Sequence, residues 1–210
     1  THCISSAASD VYKRQGRGNH ELNVLNGNDS LLGLLRKYLE SGYLPWNETG
    51  VVSINELFLN QLKNNSKALL NMVLIVGKSE KIRRRIAWQF QEPTVKKLIA
   101  LIEPNNTNQI ITFTEEFVAI QEKEPIVRSN IGDFKKNLWF WVLNHLFDER
   151  GTLFNRIDFM ESSILQMARH HNMDYAALFS EIQRAVEQIT AIQHVDSGFI
   201  LTLSLLAKKN

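Results

Sequence analysis

Leu31 to Trp46, LLGLLRKYLESGYLPW, sets the pattern for the chain: a short helix that is made to stop. Leu31, Leu34, Leu35, Tyr38 and Leu39 recur at intervals of three and four, which puts them on one helical face. Asp29 and Ser30 stand just before the run, where a side-chain oxygen can cap a free backbone N–H. Gly42 can take the left-handed conformation that ends helices. Pro45 then forbids continuation and pushes Leu44 towards an extended backbone. Trp46 follows this forced bend. It either plugs the local core, as large aromatics do, or offers an anchor to a partner.

The same punctuation recurs downstream. Ser53-Ile54-Asn55-Glu56 is a capping box, opening a helix to about Lys63 that buries Leu57, Phe58 and Leu62. Ser66 is the expected cap of an apolar helix ended by Gly77, and Ser79 that of the next. Pro93 suits the first turn of a helix carrying Val95, Leu98 and Ile99. Residues 107–128 fit a helix, although the β-branched IITFT leaves a short strand open. Pro125 ends that element, and Ile126 to Gly132 reads as an extended link. From Asp133, Phe134, Leu138, Trp141, Val142, His145 and Leu146 share a face that Trp139, Phe140, Leu143 and Phe147 widen. A helix apolar on so much of its circumference is central and buried. Asn155 or Asp158 starts the next helix, His170-His171-Asn172 breaks it, and Asp174 starts another. Ser197 to Asn210 reads as a final helix or an incomplete one.

The expectation is an all-α fold, a bundle or array of short amphipathic helices. It divides into a subdomain at 19–128 and another at 129–210. Tyr38–Leu44 (YLESGYL) faintly echoes Phe147–Leu153 (FDERGTL), in keeping with repeated helical hairpins. Residues 1–18 stand apart. Residues 1–15, small, polar and aperiodic without an initiator Met, look like translated adapter sequence; on that reading the chain is a fragment. Gly16, Gly18 and Gly27 mark loop, with a short ordered piece expected at Leu22–Leu25.

Composition narrows the function classes. Hydrophobic residues make up 44% of the 210, enough for a sizeable core. The formal charge is +2, and residues 1–18 supply all of it through Lys13, Arg14 and Arg17 against Asp10. The rest is neutral, so a general nucleic-acid-binding role has no electrostatic support. The basic run Lys81 to Arg85 reads as the solvated face of an amphipathic helix, with phosphate contact as the sharper alternative. Cys3 is the single cysteine, which excludes an intrachain disulfide framework. No apolar run reaches the roughly 18 residues of a spanning helix.

Catalytic candidates are few. His145 and Glu149 lie four apart on one face, and His170, His171 and Asp174 cluster later; such spacing can bind metal. The plainer readings are a core histidine and a polar connector, and no cofactor or small-molecule substrate is expected. Glu115-Glu116 are adjacent and point apart on a helix, and no nucleophile elbow, P-loop or dinucleotide motif is present.

Three stretches together point further. Leu35 to Trp46 contains YLxxGYLPW; Arg85-Ile86-Ala87-Trp88-Gln89-Phe90 leads into a leucine-rich helix ending Glu103-Pro104; and Trp139 to Phe154 joins a tryptophan-bearing helix to ERGTLFN. Over residues 30–180 these resemble the tape measure proteins of contractile injection systems, phage-tail-like particles that puncture target cells. The family's later asparagine-alanine-glycine stretch with its leucines is absent. The resemblance implies a non-enzymatic structural protein that sets tube and sheath length. Its expected partners are tube, sheath or baseplate components or another copy of itself, with neither nucleic acid nor membrane involved. Its expected setting is cytoplasmic assembly and then the released particle. The alternative is a generic helical-repeat interaction module. The candidate interface residues are Leu44, Pro45, Trp46, Arg85, Trp88, Gln89, Phe90, Trp139 and Trp141; Trp46, Trp88 and Trp139 are the candidates for exposed anchors, each with core as its plainer reading.

Overall fold

The computed structural model describes residues 27–44, 53–151 and 153–209, with side chains from Leu31 onward. Pro45, Trp46, the Asn47–Val52 turn, Cys3 and the Leu22–Leu25 piece lie outside the described residues. The fold is all-α. The helices are α1 (Gly27–Ser41), α2 (Ile54–Asn64), α3 (Ser66–Val76), α4 (Glu80–Gln89), α5 (Glu92–Ile102), α6 (Thr107–Lys123), α7 (Ile131–Asp148), α8 (Arg156–His170), α9 (Tyr175–Thr190) and α10 (Ser197–Lys209).

Local chemistry sets most boundaries. Ser53 Oγ accepts from the Glu56 N–H at 3.1 Å. Asn155 Oδ1 accepts from Ile157 N–H, and Asp174 Oδ2 from Ala177 N–H, each filling an otherwise unsatisfied donor. Pro93 occupies the first turn of α5. Gly42 and Gly151 follow α1 and α7 with φ of 95° and 92°, so the two echoed segments share a left-handed glycine. The His170-His171-Asn172 break is a turn with Asn172 at φ 52°.

Several expectations need correction. α1 begins at Gly27, so Asp29 and Ser30 lie inside its first turn. Ser66 is the first residue of α3, not its cap. Only Asn65 separates α2 from α3; its N–H bonds back to Gln61 O while its carbonyl accepts from Leu69. Ser79 holds the cap position of α4 without a side-chain cap bond. The IITFT segment takes the helical one of its two readings. Thr114 Oγ1 donates to Ile110 O at 2.7 Å, and Ile110, Phe113 and Phe117 face the core. Ile131 and Gly132 belong to α7, which Asn130 caps through Asp133 N–H. The shorter link before them is fastened by Gln121, whose side chain accepts from Ile126 and Val127 N–H and donates to Val127 O.

α7 is the central element. It packs against α4, α5, α6 and α8, and buries Phe134, Leu138, Trp139, Phe140, Trp141 and Val142. α1 lies against α2, α3 and α4. On the far side, rings from α6, α8 and α10 meet: Phe117 and Phe199 are 5.0 Å apart edge-on, and Phe113 lies 5.5 Å from Phe199. Gly77 ends α3 in ordinary right-handed conformation, so its role is space: an added Cβ would sit 2.2 Å from the Phe147 ring.

Candidate functional site

The stretches that carried the family resemblance come together around α4. On one side is the end of α1. Gly42 turns the chain there, and the Arg85 guanidinium donates to the Leu39 carbonyl, one of the groups a helix end leaves unsatisfied. A Cβ at Gly42 would lie 2.9 Å from Arg85 Nη2, so the glycine serves both the turn and the close approach. Tyr38 Oη donates to Gln89 Oε1 at 2.8 Å. Burial pushes the Tyr38 phenol pKa up, partly offset by the Arg85 charge, which keeps the phenol a donor at neutral pH. Its ring tilts against Phe90 at 6.4 Å, and Phe58 meets Phe90 edge-on at 5.8 Å. Leu44 is half-buried against the same core.

The other side of α4 rests on α7. Arg83 is buried: it donates through Nε to Asn144 Oδ1 at 2.6 Å and through Nη1 to Gly77 O at 3.0 Å and Lys78 O at 3.1 Å. Asn144 passes the network on to Gln166 Oε1 at 2.8 Å. Arg84 lies 4.2 Å from the Phe140 ring centroid and pairs with Glu80 at 3.1 Å. The basic run is a solvated face only in part: Lys81 and Arg84 are exposed, Arg85 is half-buried and Arg83 is buried. Arg85 serves the end of α1, Arg83 serves the α3–α4 turn and α7, and Arg84 covers the Phe140 ring of α7. Sequence reasoning missed this because the receiving groups, Leu39 O and Asn144, are remote in sequence. The one available signal was the bracketing of Arg83 by Ile82 and Ile86, which places it beside the apolar stripe.

The tryptophans divide. Trp139 and Trp141 are core side chains, 4% and 3% exposed. The Lys96 ammonium stands 6.0 Å from the Trp139 ring, and Trp141 meets His170 edge-on at 5.7 Å. Trp88 is 39% exposed, with Lys136 Nζ 5.1 Å from its centroid. Lys81, Arg84, Arg85, Trp88 and Gln89 line an open concavity of about 410 Å³. An aromatic plane bordered by cations suits apolar and acidic groups of another protein and contains no nucleophile paired with a base.

His145 is a core histidine, edge-on to Phe159 at 5.3 Å, and burial lowers its pKa against the opposing pull of Glu149, Asp158 and Asp148. Among the described residues no group of three His, Cys, Asp or Glu side chains is placed to hold a metal ion. Nor is any helix among them long and apolar enough to cross a membrane.

An all-α bundle whose distinctive motifs build a packing seam, with a cation-bordered tryptophan on its outer face, defines a helical structural module. The chain belongs to the contractile injection system tape measure protein family, whose model matches residues 5–207. The match takes in residues 5–18, set apart on sequence grounds, as well as all three motif stretches. No curated protein and no solved structure matches the chain.

Proposed function

We propose that this chain is a structural, non-catalytic assembly component that contributes to tube and sheath length control in a contractile injection particle. Its partners on this reading are tube, sheath or baseplate components, met during assembly in the cytoplasm. The family match over residues 5–207 carries the reading. The shape refines it. A ruler works by extended length, at about 1.5 Å per helical residue. The longest helix here, α7, has 18 residues, and it is buried among its neighbours. The described residues therefore act as a globular docking module beside the length-setting element, with the Trp88 face as the contact surface.

The test is an in-frame deletion of the gene in a particle-producing strain, with particles measured by electron microscopy. Loss of particles, or particles of uncontrolled length, supports the proposal. Wild-type particles in wild-type number would replace it with a helical interaction module unrelated to the particle.

A further inference from the structure

Helix α4 has two unlike faces. Ile82, Arg83, Ile86 and Ala87 are buried. Lys81, Arg84, Arg85 and Trp88 stand at helical spacing on the opposite stripe; Arg85 is half-buried and the other three are exposed. Three cations and an indole thus share about 10 Å of helix, at about 1.5 Å per residue. Together with Gln89 they line the open concavity of about 410 Å³, and no carboxylate belongs to its lining.

The positive charge of this stripe is only partly answered within the chain. Arg84 pairs with Glu80 at 3.1 Å. Arg85 donates to the Leu39 carbonyl, a neutral group, so its charge is not cancelled. Lys81 has no carboxylate partner among the described residues, and neither has Lys136 of α7, whose ammonium stands over the Trp88 ring at 5.1 Å. The guanidiniums are also held in place, Arg84 against the Phe140 ring at 4.2 Å and Arg85 by its bond to α1. Fixed donors lose little freedom when a partner arrives.

Single-stranded nucleic acid also combines cations with a stacking ring, but along a positively charged track. Here the cations end with one helix stripe and Lys136, Glu80 stands beside Arg84, and residues 19–210 carry no net charge. Cations at three- and four-residue spacing match carboxylates at the same spacing on a second helix. Resting on the docking role proposed above, we infer that the Trp88 face takes an acidic helix of a partner protein. Its carboxylates face Lys81, Arg84 and Arg85, and an apolar side chain covers Trp88.

The test is fluorescence anisotropy of the 210-residue chain with three labelled probes: an alanine-based helical peptide with glutamates three and four residues apart followed by a leucine, its glutamine twin, and oligothymidine. The glutamate peptide should bind about tenfold tighter than its twin, and less tightly as salt is raised. Lys81→Glu and Trp88→Ala should each weaken it about fivefold or more, whereas Lys97→Glu on α5 should not. Lys81 is exposed, so Lys81→Glu should melt with the parent. Equal binding of the two peptides, oligothymidine binding tighter than either, or indifference to Lys81→Glu would each overturn the acidic partner. If particle number still falls when the Trp88 face is altered, the docking role survives that loss. Glutamate-selective binding with unchanged particle number would uphold the acidic partner and remove the docking role.

Discussion

The Tyr38 phenol donates a 2.8 Å hydrogen bond to Gln89, joining the YLxxGYL stretch of α1 to the Arg-Ile-Ala-Trp-Gln-Phe stretch of α4 across fifty-one positions of sequence. Arg85 repeats the connection at Leu39, and the Phe90 ring lies tilted against Tyr38. The two stretches thus form one seam, and each explains the residue types of the other.

The seam gives the first expectation. Replacing Arg85 with Met keeps the apolar stem but leaves the α1 carbonyl without its charged donor. Hydrogen bonds to charged groups contribute about 1.5–3 kcal/mol, and the site is half-buried, so a loss of about 1–2 kcal/mol is expected in urea unfolding. Tyr38→Phe should cost less, about 0.5–1.5 kcal/mol, because Gln89 is exposed and can turn to water. A double variant less destabilised than the sum would confirm that the two bonds act together.

Gly77→Ala gives a test in which two effects have opposite signs. At its φ of −68°, alanine would ordinarily stabilise by about 0.4–1 kcal/mol by restricting the unfolded chain. The Phe147 ring occupies the space a Cβ needs. Overpacking costs about 1–3 kcal/mol, so the net effect is expected to be destabilising. Adding Phe147→Leu should recover part of the loss. Stabilisation by Gly77→Ala alone would show that the ring yields freely.

These elements also show what the sequence made legible. Helix identity followed from apolar spacing, and the caps at Ser53, Asn155 and Asp174 followed from side chains that bond three residues onward or nearer. Such contacts are local, so sequence order contains them. The IITFT ambiguity arose because β-branched residues suit a strand, and burial of Ile110 and Phe113 on one helical face overrode that preference. The fate of Arg83, Arg84 and Arg85 was hidden for the opposite reason. Adjacent cations look alike in sequence, and what separates them is Leu39, Phe140 and Asn144 on other helices. At the candidate site, the motif residues of α1 and α4 were visible as separate stretches, but their junction was not. Nor did spacing distinguish exposed Trp88 from buried Trp139.

His145 supplies a pH expectation. Burial lowers its folded pKa below the ordinary value of about 6.5, despite the carboxylates Glu149, Asp148 and Asp158 around it. Glu103, just past the end of α5, and Arg150, just past α7, line a cleft together with His145. The unfolded chain then binds more protons than the folded one, so stability falls as pH drops below the unfolded value. His171, lowered by burial and by His170, adds to the same trend. His145→Gln should flatten the difference in urea midpoint between pH 7.5 and pH 5.5. An unchanged difference would place the pH response elsewhere.

On the proposed function, the described residues dock within the particle and do not themselves measure its length. The direct measurement is the count and length distribution of particles from a strain whose full-length protein carries Trp88→Ala with Lys81→Glu. Trp88 is partly exposed and its contact with Lys136 is worth about 0.5–1 kcal/mol, so the purified variant should melt close to the parent. Fewer particles, each of normal length, are expected. Particles in normal number but of altered length would contradict the proposal and return the ruler to this part of the chain.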